Sequence, residues 1–311
     1  MTMQIAGGNG TTGSLGFPPF LREEPLQWQE GGAGREGKRG TRVISVTSGK
    51  GGVGKSNVVA NLAIAMSRLG KKVLIIDADL GLGNINVLLG LRPAYTLNDL
   101  FKGDKSLGEI IVNGPEGIKV IPAGSGTQKY TRLAKEERLR LLNELDDLEE
   151  DFDMFIIDTE SGISDNVVYF TSAAQEIVVV VSPEPTSITD CYALIKLLST
   201  THDEHHFKVL INMAHNSEEA LKTYYRLAGV VGRFLDISLD YLGYVCRDDL
   251  LIDSVKRQKA VYELYPDSSS ARCFNALARR ICQTPSKVGL KGNIQFMFRK
   301  FLRNPMELRY V

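Results

Sequence analysis

Residues 49 to 56 read Gly-Lys-Gly-Gly-Val-Gly-Lys-Ser and fit the phosphate-binding template G-x-x-x-x-G-K-[ST]. In that template the glycines, here Gly49, Gly51, Gly52 and Gly54, let backbone N–H groups curl around a triphosphate. Lys55 and the Ser56 hydroxyl then meet phosphate and magnesium, with Val53 and Asn57 completing the loop. The flanks agree with this reading. Val43-Ile44-Ser45-Val46 reads as a buried strand before the loop, and residues 57 to 69 read as a helix with Ala60, Ala63, Ile64 and Ala65 available for packing. A strand, a glycine loop and a helix in that order imply a nucleoside triphosphatase. The template leaves position 50 free, yet a lysine stands there. Lys55 already serves the chain's own nucleotide, so the Lys50 ammonium is read as reaching outward to a partner's site.

Beyond the loop, strands alternate with helices, the pattern of an α/β fold with a mostly parallel twisted sheet flanked by helices on both faces. Strands are expected at 72–77, 119–122, 154–158, 177–182, 209–212 and 239–245. Helices are expected at 135–149, 165–174, 187–199, 218–234, 249–256 and 268–282. Most of the strands are too apolar to be half exposed. In such a sheet ligands sit at the carboxyl ends of the strands. Asp77 and Asp79 end the strand after the loop and face the same way, placed to take magnesium's water shell or to orient an attacking water. Asp158 ends another apolar strand and suits magnesium opposite Ser56, while Gly162 gives the loop behind it the freedom to sense the γ-phosphate. Asn212 ends a further strand with a side-chain amide, which has the donor and acceptor needed to read an adenine edge. His202, His205 and His206 read as a solvated connection, because no fourth ligand at zinc spacing accompanies them.

Lys plus Arg and Asp plus Glu both number 37, so no global field favours nucleic acid, and no direct nucleic-acid partner is expected. The four cysteines, Cys191, Cys246, Cys273 and Cys282, contain no C-x-x-C pair; a reducing cytoplasm fits them best. Residues 1–40 are rich in Gly, Pro and polar types and are expected to form a flexible tail before a domain at 41–285. On a helical wheel, residues 294 to 303 gather Ile294, Met297, Phe298, Phe301 and Leu302 on one face and Arg299, Lys300 and Arg303 on the other. The C-terminal segment 286–311 is therefore expected to carry an amphipathic helix that anchors at an anionic membrane surface. One short helix binds marginally, and dimerisation would supply two, so ATP is expected to couple to membrane attachment through avidity.

The run K-G-G-V-G-K-S at 50–56 resembles the deviant Walker A signature of the MinD/ParA ATPases. Within them, S-G-K-G-G-V-G-K-S-N-V-V-A-N-L-A (48–63), D-A-D-L-G-L-G-N-I-N-V-L-L-G-L (77–91), E-P-T-S-I-T-D-C-Y-A-L-I-K-L-L (184–198) and N-M-A-H (212–215) are similar to the flagellar-number regulators of the FlhG/FleN family. The resemblance implies a MinD-like P-loop fold and a slow ATPase that uses ATP/ADP and Mg2+. It further implies a homodimer with ATP in which Lys50 crosses to the other subunit's phosphates. By the same resemblance Asp79 holds or activates the nucleophilic water, Asp158 to Gly162 form the switch, and Asn212 contacts the base. The stretch ending at Asp248 passes the other side of the base. Glu160 and Ser161 stand where the family usually has small residues, and Cys246-Arg247 where Ile-Pro is common. Implied partners are the cytoplasmic membrane, an FlhF-type GTPase and a flagellar transcription activator; the implied location is the inner face of the cell membrane, at a pole. The N-terminal D-Q-A-x-x-L-R motif of many members does not occur in residues 1–40. Two further functional readings remain: a nucleotide-gated antiregulator of the transcription activator with hydrolysis only as reset, and a cell-division or partition-type positioning ATPase.

Overall fold

A computed structural model describes residues 41–124, 133–148 and 150–284. The elements are β1 (Arg42–Ser48), α1 (Lys55–Arg68), β2 (Val73–Ala78), α2 (Ile85–Leu88), α3 (Leu97–Lys102), α4 (Leu107–Ile110), β3 (Val112–Asn113), β4 (Lys119–Ile121) and α5 (Lys135–Asp146). They continue with β5 (Met154–Ser161), α6 (Asp165–Ser172), β6 (Glu176–Val181), α7 (Pro185–His202), β7 (His206–Ala214), α8 (Ser217–Phe234), β8 (Ser238–Cys246), α9 (Asp249–Lys256), α10 (Val261–Leu264) and α11 (Ser269–Gln283). The strands form one sheet in the order β3-β4-β2-β5-β1-β6-β7-β8, parallel except for the β3–β4 pair.

Period-two alternation explains the layers, because successive side chains of a strand point to opposite faces. Ile44, Val46, Ile75, Ile156 and Val180 pack with α1 and α11 on one side. Val43, Leu74, Ile76, Phe155 and Ile157 pack with α3, α5 and α6 on the other, where Val179, Ile211 and Leu227 extend the layer under α7 and α8. Strands buried on both faces read as continuous apolar runs, which is why six of the expected strands coincide with observed ones. The sheet edge departs from that expectation. β8 alternates exposed and half-buried positions along its first half, since one flank is open to solvent. The two-residue β3 and the one-turn helices α2, α4 and α10 were not anticipated; each is shorter than the window over which periodicity can be read. The expected tail at 1–40 and the expected terminal helix bearing Ile294, Met297, Phe298, Phe301 and Leu302 lie outside the described residues.

β1 occupies the middle of the sheet, with β5 on one side and β6 on the other. Its base is held by a buried ionic knot. Glu176, at the start of β6, accepts hydrogen bonds from the Arg42 guanidinium and from Lys208 of β7. Arg42 also donates to the Ile281 and Thr284 carbonyls, satisfying orphan acceptors at the end of α11. Burial opposes the Glu176 charge, but Arg42 and Lys208 outweigh it and hold the carboxyl below its usual range. Such stability is present above the unfolded carboxyl's pKa and fades as pH falls through the folded one. Replacing Glu176 with Ala should therefore cost about 2–4 kcal/mol in urea unfolding near neutrality, by stranding two cations of which 16% and 21% remain exposed. The gap to wild type should close below about pH 4, and a gap constant with pH would mean that packing, not charge, holds the knot.

Candidate functional site

The loop between β1 and α1 crosses the carboxyl end of the sheet and enters a helix that nothing caps. Gly54 is the N-cap of α1 with φ of 81°, no side chain closes the first turn, and no acidic residue lies in that turn. The leading N–H groups of a buried helix are therefore left for an anion, with the helix dipole favouring negative charge there. Gly49 answers a different constraint: a Cβ at that position would stand 2.2 Å from the Asp190 carbonyl of α7, so only glycine lets the loop start so close to that helix. The loop borders a cleft of 680 Å³ lined by Gly51 to Asn57, Asp79, Gly81, Leu82, Asn84, Val87, Leu88, Glu160 and Ser161.

At the cleft floor the Lys55 ammonium donates to Asp158 Oδ1 at 2.6 Å, with side-chain exposures of 5% and 0%. Asp158 Oδ2 is buried without a hydrogen-bond partner. Burial raises the Asp158 carboxyl, while Lys55 and the nearby Ser56 hydroxyl favour its charged form. Asp77 pairs with Asp158 in register across β2 and β5. Asp77 also sits well above the ordinary range, first through burial and then through the Asp158 charge. Two buried carboxyls, Asp77 and Asp158, thus lie beside one ammonium, and one Asp158 oxygen is orphaned. A hard cation with oxygen ligands fits the chemistry of that arrangement, and Ser56, Asp79 and Asp158 are the oxygen-bearing residues that would hold it, directly or through water.

Asp77 and Asp79 do not act as a matched pair. Asp77 is wholly buried and accepts from the Asp79 and Ile85 N–H groups, which fixes the turn from β2 into α2. Asp79 lines the cleft and accepts from the Leu82 N–H. The difference is register: Asp77 is still a strand residue, whereas Asp79 has already left the sheet.

Gly162 has φ of 96°, and its N–H donates to the Ser48 carbonyl at 2.9 Å. Ser48 in turn donates from Oγ to the Lys50 carbonyl, so the segment from Asp158 to Gly162 is tied to the root of the phosphate loop. Asn212 is buried outside the cleft lining and donates from Nδ2 to the Val53 carbonyl at 2.8 Å. A bulge between β7 and β8 at Asn212 and Ala214, with Met213 at φ of 61°, aims the amide at the loop. Its first evident task is to brace the loop from behind. Asp248 lies away from the cleft: it caps α9 through the Leu250 N–H and accepts both the N–H and the hydroxyl of Ser270 on α11. Those contacts account for its carboxylate structurally.

Lys50 ends at the mouth of the site, not within it. Its ammonium donates to Glu184 Oε2 at 2.6 Å and to Thr186 Oγ1 at 2.9 Å, with the two ionic side chains 35% and 63% exposed. Sequence reasoning missed this latch, and it missed the wall made by Gly81, Leu82, Asn84, Val87 and Leu88. Leu82 is 73% exposed in the run Asp79-Leu80-Gly81-Leu82-Gly83, and an apolar residue between glycines beside a chemistry-bearing aspartate was the available signal. His205 bonds Asp203 in the link between α7 and β7.

A parallel sheet with an uncapped glycine loop, a buried lysine–aspartate pair and a carboxylate-lined cleft defines a P-loop nucleotide hydrolase. The AAA domain family model matches residues 41–211. The chain is 43% identical over 264 residues to the antiactivator FleN of Pseudomonas aeruginosa, covering 85% of this chain and 94% of that protein. It is 33% identical to the flagellum site-determining protein YlxH of Helicobacter pylori, covering 78% and 82% respectively. The MinC:MinD cell division complex of Aquifex aeolicus is similar in structure with a TM-score of 0.65 at 27% identity, covering 81% of this chain and 99% of that one. The chain belongs to the MinD/ParA-type P-loop ATPases, among the FlhG/FleN flagellar regulators. It is an ATPase, with ATP and Mg2+ as its cofactors.

The raised Asp77 carboxyl has a measurable sign. A carboxyl whose folded pKa is raised makes the fold less stable as pH rises from the unfolded value, about 4, through the folded one. Asp77→Asn cannot ionise, so its urea midpoint should gain on wild type as pH rises above about 5, whatever constant offset the lost acceptor imposes. Parallel midpoints across that range would show that Asp77 is charged throughout.

Proposed function

We propose that the protein is an ATP-dependent dimerising switch that sets flagellar number and placement, and that hydrolysis resets it. The observation that carries this reading is the pair of lysines with different fates. Lys55 is committed to the chain's own site through Asp158, whereas Lys50 sits at the rim on an exposed latch. An exposed ion pair contributes at most about 1 kcal/mol, so a triphosphate presented by a second copy can outcompete Glu184 for the ammonium.

In this reading the chain's own groups divide the work. Gly49 to Asn57 bind the phosphates through backbone N–H groups, and Lys55 shifts its charge from Asp158 toward them. Ser56 and Asp158 would hold Mg2+, which would neutralise phosphate charge there. Asp79 orients the attacking water from the cleft wall. The Asp158 to Gly162 segment passes the γ-phosphate's presence to the loop root through the Ser48 carbonyl. Asn212 holds Val53, and its remaining amide valences would meet the base.

The regulated partners are proteins, and we include among them a flagellar transcription activator and an FlhF-type GTPase. The relative named as an antiactivator favours the former, with the ATP state as the binding state. Among the described residues no helix is long and apolar enough to cross a membrane. Attachment is assigned to the amphipathic pattern at 294–303, which makes the protein a peripheral one at the inner face of the cell membrane. We divide the chain as a tail at 1–40, the ATPase domain at 41–285 and the membrane-directed segment at 286–311.

Asp79→Ala should bind ATP yet lose turnover by about a hundredfold or more, and should accumulate as a dimer. Light scattering after size exclusion with ATP is the measurement, and a purely monomeric Asp79→Ala protein would overturn the switch. Lys50→Ala should retain nucleotide binding and lose the dimer; an unchanged dimer fraction would place Lys50 outside any trans role. Removing residues 294–311 should abolish ATP-dependent pelleting with anionic vesicles while leaving the dimer intact, and undiminished pelleting would put the lipid contact elsewhere.

A further inference from the structure

Two sulfur atoms on different elements face each other outside the lining of the phosphate-loop cleft. Cys246 ends β8, and Cys273 lies four residues into α11. Their Sγ atoms are 3.8 Å apart, both thiols are free, and both residues are half-buried. No cluster of three or more metal-ligating side chains occurs among the described residues, so the pair is not part of a metal site. The remaining cysteines lack this arrangement. Cys191 is buried in α7 among the residues under α8, and Cys282 lies near the far end of α11.

The backbone on either side holds the two sulfurs in place. Two residues after Cys246, the Asp248 carboxylate accepts from the Ser270 N–H at 2.9 Å and the Ser270 hydroxyl at 2.8 Å, fastening the strand exit to the first turn of α11. Three residues before Cys246, Gly243 approaches α11 so closely that a Cβ there would stand 2.8 Å from Leu277. The sulfurs are thus held between two contacts of the same strand–helix pair. A disulfide needs about 2.05 Å between sulfurs, a closure that side-chain rotation can supply when the backbones are already positioned.

We propose that Cys246 and Cys273 are a redox-modification site, forming a reversible intrachain disulfide that locks the exit of β8 to α11. The oxidant is a hydroperoxide. The two sulfurs face each other at 3.8 Å, so either can make the first attack, and the chemistry balances equally with the two exchanged. Where Cys273 leads, its thiolate takes the terminal oxygen of hydrogen peroxide, giving a sulfenic acid at Cys273 and, with a proton, one water. The Cys246 sulfur then attacks the Cys273 sulfur, the S–O bond breaks, and a second water leaves with the Cys246 proton. Two thiols lose two electrons and two protons in all, and the peroxide is reduced to two waters. The bond would close a covalent loop through α9 and α10. It would fix α11 against the sheet, and α11 packs on α1, the helix that opens with Lys55.

The test uses the full chain, fully reduced and then exposed to stoichiometric hydrogen peroxide. Intact mass after alkylation with N-ethylmaleimide should show two of four thiols protected, and peptide mapping should link Cys246 to Cys273 within one chain. Dithiothreitol should reverse both changes, and the oxidised form should melt roughly 5 °C higher or more, as expected for a closed loop of this length. Cys246→Ser should instead accumulate a dimedone-reactive sulfenic acid at Cys273. Asp248→Ala should slow bond formation severalfold by releasing the clamp. Four alkylatable thiols after peroxide, a bond to Cys191 or Cys282, or a bond between two chains would each overturn the proposal.

Discussion

The buried contact between Lys55 and Asp158 organises this molecule. It joins the first residue of α1 to a strand inside the sheet, and it does so where neither charge meets water. Such a pair adds little to net stability, because desolvating two ions offsets most of their attraction. Its value is positional. Breaking it without replacement would leave a buried charge, so the ammonium can leave Asp158 only toward other anions, and the uncapped start of α1 is where anions are drawn. The carboxylate it leaves needs a cation in exchange. Asp77 is already driven up by its burial and its neighbours, and Asp158 Oδ2 has no partner. Triphosphate and magnesium thus satisfy opposite halves of one electrostatic deficit.

The second lysine follows the opposite logic, and magnitude separates the two. Lys50 and Glu184 are solvated, so their attraction is screened and the side chains retain freedom. A buried pair is firm because its alternatives are costly. An exposed pair is a latch, because water always offers an alternative. The loop holding both lysines is otherwise pinned: Asn212 from behind, Ser48 at its root and Asp190 of α7 against Gly49. Side chains, more than backbone, are therefore free to move when nucleotide arrives.

Much of this was legible in the residues. The Gly49 to Ser56 loop, Asp158 on an apolar strand and the buried strands follow from local pattern, since backbone freedom, charge and apolar runs are properties of neighbours in sequence. The strand itself runs on to Ser161 instead of ending at Asp158 as expected. The roles of Asp77 and Asp248 were less accessible because they depend on distant partners. Whether Asp77 faces the cleft or fixes a turn is decided by the Ile85 N–H, and Asp248 is claimed by Ser270 on another helix. The Lys50 latch was invisible for the same reason: residues 50 and 184 meet only once β6 pairs beside β1. The short helices α2 and α10 are too brief to show a period, and the first of them walls the cleft.

Glu160 links the cleft wall to the entrance of α6. It lines the cleft as a carboxylate on the wall where small residues are common in the family, a place where phosphate charge would repel it. Its oxygens are held by the Ser164 hydroxyl at 2.8 Å and the Asn166 amide at 3.4 Å, both at the entrance of α6. Asn166 Oδ1 accepts from the Leu133 N–H, just before α5. Glu160 on the cleft wall is thus connected through Asn166 to the chain leading into α5. The Ser48–Gly162 bond ties the loop root to the same segment, beside the pairing of β5 with β1. Substituting an acid into a phosphate-sensing loop would be costly if it pointed freely at the ligand. Here it is instead anchored to the entrance of α6 by Ser164 and Asn166.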